Sequence, residues 1–210
     1  MLIGSQHRKQ KEGFGMVSVQ QVTGVILCGG HSSRMGFNKA FLKRDNQYVL
    51  PQTAAAVRRL LPQVVFVTNQ KQPFLAQPAF QDYSIFEDQW RDRGPLGGLV
   101  TALEQVTTPY VFLMACDIPH ISNTLMQPLL TAVTNQQVGL YQQHDRLETL
   151  FALYHRSCLP LFKAQLQQGI GQIRYHFKAL DVKVIQSNNI ELRNINTPAE
   201  LPGWRIKKIG

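Results

Sequence analysis

Residues Val22 to Lys39 read V-T-G-V-I-L-C-G-G-H-S-S-R-M-G-F-N-K. The first seven form a short apolar run rich in β-branched residues. That is the pattern of a strand buried on both faces. The run enters Gly29-Gly30, and Arg34 and Lys39 follow in the same loop. Glycines without side chains let backbone N–H groups approach phosphates or a base edge. With two cations beside them, they are the parts of a triphosphate cradle. A Walker loop is excluded, because Lys39 follows Asn38 and precedes Ala40 rather than Ser or Thr. The competing reading is a plain glycine turn with solvated cations; the strand in front and the paired cations favour phosphate.

Outward from this stretch, strands and helices alternate. Tyr48 to Leu61 reads as a helix, with Pro51 tolerated in its first turn, and Leu61-Pro62 stops it. Val64 to Thr68 is a second buried strand. Residues 70–82 are loop or broken helix, and Tyr83 to Phe86 is a third strand. After Gly94-Pro95, Leu96, Leu99, Val100 and Leu103 fall at helical spacing. Tyr110 to Cys116 is a fourth strand, and Thr124 to Thr134 a helix. Val138–Tyr141 and Leu150–Tyr154 flank a polar turn at His144-Asp145-Arg146, as in a hairpin. Ser157 to Gln168 is a helix ended by Gly169, and Val182 to Ile185 a last strand. Asn196-Thr197-Pro198 should cap a short helix. This alternation predicts an α/β fold of three layers: a mostly parallel sheet, helices on both faces, and a small β-hairpin insertion.

In such sheets ligands sit beyond the carboxyl ends of the strands. The third strand runs into Glu87-Asp88 and the fourth into Asp117-Ile118-Pro119. A carboxylate just past a buried strand suits Mg²⁺, which takes one or two carboxylates plus substrate phosphates. Asp117 is equally readable as an Asx-turn or helix cap. Cys116 reads as small core filler, since no cation adjoins it to activate a thiolate. His120 reads as a packing histidine before a ligand. Gly94-Pro95-Leu96-Gly97-Gly98 is either a tightly packed helix start or a helix N-terminus aimed at an anion.

The chain has 210 residues, 44% of them hydrophobic and 17% charged. That is one domain with a core needing no staples, and it excludes wholesale disorder. No apolar run approaches the about 20 residues of a membrane helix, and no secretory signal is expected. The three cysteines lie far apart without CxxC spacing. That argues against a disulfide framework or zinc ribbon and for a cytoplasmic setting. The net charge is +9. Residues 1–21 carry +2 and residues 203–210 carry +3, while the body holds 16 Lys/Arg against 12 Asp/Glu. The expected organisation is a flexible basic leader over 1–21, a domain over 22–202 and a basic tail over 203–210. Basic tails can bind nucleic acid, but the aromatic-basic interleaving of a nucleic-acid groove is missing.

The stretches VILCGGHSSRMGFNKAFL, ED before GPLGG, ACDIP and NINTPAEL, in that order, resemble the molybdenum cofactor guanylyltransferases. These are nucleotidyltransferases with a Rossmann-like, nucleotide-sugar-transferase fold. The resemblance spans roughly residues 22–202, and Gly29-Gly30 favours the guanylyl branch over cytidylyl relatives. It implies transfer of GMP from GTP to the terminal phosphate of the molybdopterin cofactor, with Mg²⁺ as the metal. It also implies molybdoenzyme-maturation proteins as partners. By the same resemblance Leu27, Cys28, Gly29 and Gly30 would line the nucleotide, and Asp88 would lie in its pocket. Lys39 and Arg34 would meet the phosphates, and Asp117 would hold Mg²⁺ and serve catalysis with them. Asn194 and Asn196 would adjoin the acceptor. Thr68 or Asn69 would be the contact after the second strand.

The chain departs from the family pattern in several places. Cys28 replaces Ala, Asn38 replaces Asp, and Glu148-Thr149-Leu150 replaces a proline-containing stretch. Gly171-Gln172 stands where the family often has acceptor-site arginines, with Arg174 as the candidate substitute. A cytidylyl or sugar-1-phosphate relative, a GTP-binding partner without turnover and a nucleic-acid binder are the rivals.

Overall fold

The computed structural model describes residues 16–29, 38–118 and 121–187, and the backbone of 204–205. The elements in chain order are β1 (Val22–Leu27), β2 (Lys43–Arg44), β3 (Gln47–Tyr48), α1 (Val49–Arg58), β4 (Gln63–Thr68), α2 (Gln72–Leu75), β5 (Ser84–Glu87), α3 (Pro95–Gln105), β6 (Tyr110–Ala115), α4 (Asn123–Ala132), β7 (Val138–Gln143), β8 (Arg146–His155), α5 (Leu159–Gln167), β9 (Val182–Gln186) and β10 (Trp204–Arg205).

Seven strands form one sheet in the order β5-β4-β1-β6-β8-β7-β9. β1 pairs in parallel with both β4 and β6, β4 with β5, and β7 with β9. Only β8, among the described residues, runs against its neighbours β6 and β7. The expected hairpin forms, turning at His144 with φ +53°, and both its strands continue the main sheet. A separate small antiparallel sheet, β10-β2-β3, stands beside it. Its tight turn uses Asp45 and Asn46, both at positive φ, the conformation of a two-residue hairpin turn.

Alternate side chains of the strands feed two cores, as their twofold period requires. On one face Ile26, Phe66 and Phe112 pack under α1 and α4 through Ala54, Val57 and Leu129. On the other, Val25, Val67 and Leu113 pack under α3 and α5 through Leu99, Leu103 and Phe162. These are the expected three layers. A Cβ at Gly24 would stand 2.9 Å from Val57 Cγ1, so the glycine inside β1 lets α1 lie close.

Residues on both sides of the expected 22–202 domain bond to it. Val17, assigned to the leader, is buried, and its N–H donates to Val133 O at 3.2 Å. Ser18 then caps a 3₁₀ turn over Val19–Gln21. At the other end Trp204 and Arg205 pair with Arg44 and Lys43, so part of the expected tail is a strand. Backbone groups gain hydrogen-bond partners at both places, which charge counting does not detect. A further 3₁₀ stretch over Ile173–Ala179 was not expected, and Ile173 buries into the second core. The expected helix after Asn196 lies outside the described residues.

Candidate active site

The chain runs from β1 outward to β4 and β5, then returns to β6 on the other side of β1. The crevice beyond the carboxyl ends of β1 and β6 is therefore the topological switch point, where open α/β sheets bind ligands. Along this edge the strands deliver, in spatial order, Asp88, Asn69, Gly29 and Asp117.

A cavity of about 410 Å³ opens here. Leu27, Gly29, Thr68, Asn69 and Asp88 line one side, and Gly94, Pro95 and Gly98 from the start of α3 another. Asp88 is 8% exposed. Its N–H donates to Thr68 O at 2.8 Å. Its Oδ1 accepts from Trp90 N–H at 2.8 Å and Thr101 Oγ1 at 3.0 Å. A Cβ at Gly97 would come within 3.2 Å of its Oδ2. The glycines of the 94–98 segment thus give room to a carboxylate at the foot of the cavity, which favours the close-packing reading. Gly94 itself has φ +65°, a conformation that favours glycine.

The Thr68 hydroxyl is occupied locally, sharing contacts of 3.4 Å with the Gln70 backbone. The Asn69 carboxamide instead lies over Gly29, where an added Cβ would meet its Oδ1 at 2.8 Å. Of the two candidates after the second strand, Asn69 presents its side chain to the β1 turn.

Leu27 and Gly29 border the cavity, but the Cys28 side chain points into the core with Ile26. Its N–H donates to Val67 O at 2.7 Å. Burial, and then the hydrogen bond and charge of Cys116, push its thiol well above the ordinary value. Cys28 can therefore serve a nucleotide only through its backbone, because the strand's twofold alternation turns its side chain away.

Lys39 opens a 3₁₀ turn capped by Asn38, whose Oδ1 accepts from Ala40 N–H at 3.0 Å. The aspartate common in the family would cap in the same way, which accounts for Asn38. Ala40 and Phe41 are buried, and the Phe41 ring lies 4.7 Å from that of Phe74. This anchor holds Lys39 over the sheet edge, where Nζ meets Asp117 Oδ2 at 3.2 Å. Asp117 Oδ1 is buried with no hydrogen-bond partner among the described residues. A turn-capping aspartate would have that oxygen on a backbone N–H, so the capping reading lacks its bond.

A Cβ at Gly171 would collide with the Arg93 carbonyl, which excludes an arginine there without moving the backbone. Arg174 is exposed and does not line the cavity. Arg34, Gly30, His120, Asn194 and Asn196 lie outside the described residues. No group of three metal-binding side chains occurs among the described residues, and no helix there is long and apolar enough to cross a membrane.

The chain is similar to known proteins over nearly its whole length. A molybdenum cofactor guanylyltransferase of Vibrio parahaemolyticus is 30% identical over 193 residues, 89% of this chain and 96% of its own. A probable one from Flavobacterium johnsoniae is 28% identical, covering 90% and 98%. The solved structure of molybdopterin-guanine dinucleotide biosynthesis protein A from Archaeoglobus fulgidus superposes with a TM-score of 0.69. It is 20% identical, with 86% of this chain and 95% of that one covered, and it shares the fold. Residues 24–182 match the MobA-like NTP transferase domain, and the chain belongs to that nucleotidyltransferase family.

Proposed function

We propose that this protein transfers GMP from GTP to the terminal phosphate of the molybdopterin cofactor, releasing pyrophosphate. Membership of the family and the activity named for its relatives support the reading. The observation that carries it is Asp117. One of its oxygens is held by Lys39 and the other is buried without a partner among the described residues. An orphaned carboxylate oxygen costs free energy unless something completes it. A Mg²⁺ ion fits, since it needs one or two carboxylates and takes its remaining ligands from phosphates and water. Bound there, Mg²⁺ would neutralise charge on the nucleotide phosphates.

The chain's own residues supply position and charge. Asp88 offers an acceptor at the foot of the cavity. Guanine presents its N1–H and N2 amine side by side, donors at positions where adenine has none, which suits a carboxylate. Gly29 admits the nucleotide backbone-close, and Lys39 places its ammonium beside the phosphate path while Asp117 holds it. A phosphate oxygen of the acceptor attacks the α-phosphorus of GTP, and the bond to the β-phosphate oxygen breaks as pyrophosphate leaves. No protein nucleophile is required. The free cysteines suit a reducing cytoplasm, where molybdoenzyme-maturation proteins would receive the product.

Pyrophosphate release with each nucleotide, with and without molybdopterin, tests the reading. Release is expected with GTP, Mg²⁺ and molybdopterin together. Equal release with CTP would sink the guanine assignment. GTP binding with no release under any condition would leave a binding protein without turnover.

A further inference from the structure

Cys28 and Cys116 are far apart in sequence. β1 and β6 are parallel neighbours whose last registered pair is Leu27 with Ala115. One residue further, the two cysteines stand opposite each other across the switch-point crevice. Both pack in the same layer, Cys28 with Ile26 and Cys116 against it. Neighbouring strands lie about 4.7–4.9 Å apart, inside the about 4.4–6.8 Å between Cα atoms that a disulfide spans. Both thiols are free, and the Cys28 Sγ donates to Ile26 O at 3.5 Å. Cys28 is buried and Cys116 half-buried. Gly29 follows one and Asp117 the other. Cys158 belongs to the opposite core face and reaches neither.

We propose that Cys28 and Cys116 form a reversible disulfide that closes the nucleotide site to turnover. The oxidant is hydrogen peroxide. The Cys116 sulfur, the more accessible, attacks a peroxide oxygen. The O–O bond breaks, and the departing hydroxide leaves with the thiol proton as water, giving a sulfenic acid. The Cys28 sulfur then attacks the Cys116 sulfur. The S–O bond breaks, and the Cys28 proton leaves with that oxygen as a second water. Two electrons pass from the sulfurs to the peroxide, and a dithiol reductant returns them. Forming a bond of about 2.05 Å between the two sulfurs draws the neighbouring backbone inward. Gly29 and Asp117 move with it, and a misplacement of about 1 Å at a reacting site costs about 10²-fold in rate. The consequence for turnover rests on the guanylyl-transfer reading; the bond itself does not.

The full chain, reduced and then treated with hydrogen peroxide, is mapped by peptide mass spectrometry without reduction. Guanylyl transfer is measured before treatment, after it, and after dithiothreitol. The expected result is a linked Cys28–Cys116 peptide and a fall in transfer of about 10²-fold, restored by dithiothreitol. Cys28→Ala and Cys116→Ser, each compared with its own untreated rate, should lose far less. Absence of the linked peptide would overturn the proposal. So would a linked protein with undiminished transfer, or an equal loss in both variants. If the reduced protein transfers no GMP, the function reading fails instead. The linked peptide and the GTP-induced melting shift, before and after oxidation, then decide this one.

Discussion

Lys39 Nζ stands 3.2 Å from Asp117 Oδ2, joining a loop-born cation to a carboxylate 78 residues later in the chain. Both side chains are mostly covered, at 14% and 18% exposure. The pair sits where β1 and β6 part. Asp117→Asn keeps the side-chain volume and removes the charge. Turnover should fall by about 10²-fold or more if the charge serves a metal, and Mg²⁺ should no longer tighten GTP binding. The melting temperature of the free protein should stay within a few degrees, because the loss of the ion pair is offset by no longer burying a charge. Wild-type Mg²⁺ dependence in the variant, read by titration calorimetry, would move the metal elsewhere, with Asp88 next in line.

Asp88 is the buried one of the two acidic groups that line the cavity, Asp88 and Asp92, so it should govern the choice of base. GTP with Mg²⁺ at about 100 times its dissociation constant adds about 2.7 kcal/mol. For a chain of this size that is a rise of about 5–10 °C in melting temperature. ATP and CTP should give smaller shifts. In Asp88→Asn the advantage of GTP should shrink towards that of ATP. Equal shifts with all nucleotides in the unaltered protein would remove the guanine assignment.

Val17 marks where the leader stops being dispensable. A chain lacking residues 1–15 should keep its melting temperature and transfer rate. One lacking 1–21 also loses the buried Val17 and its bond to Val133 O, at a cost of about 2 kcal/mol from side-chain burial. Denaturant titration of the two truncations separates the outcomes. Equal stability would show that Val17 contributes nothing.

His155 carries a pH dependence far from the site. Partial burial, and then the Arg156 charge, lower its pKa below the ordinary 6.5. Its Nδ1 accepts from Ser157 N–H at 3.2 Å, a bond only the neutral ring can receive. The unfolded chain therefore binds the proton more readily than the folded one. Stability rises with pH between the folded value and 6.5 and is lost as pH falls through that window. His155→Asn should flatten the melting temperature against pH there. An unchanged slope would assign the acid sensitivity to other groups.

Much of this protein was determined by local chemistry along the chain. β1, β4 and β6 are apolar runs with branched side chains that favour burial, and β5 follows them with Ile85 buried, so their strands and the layered sheet were legible. The glycine turn after β1 and the acids after β5 and β6 followed from the rule that places ligands beyond the carboxyl ends of strands. What local pattern cannot carry is neighbour choice. The strand order set Asp88, Asn69, Gly29 and Asp117 along one edge. The pairing of β1 with β6 brought Lys39 to Asp117 and Cys28 to Cys116. Other tertiary contacts buried Val17 beside Val133 and closed Gly171 against Arg93. Such relations depend on which distant backbones share hydrogen bonds and which side chains fill one another's space, and these exist only once the chain has packed.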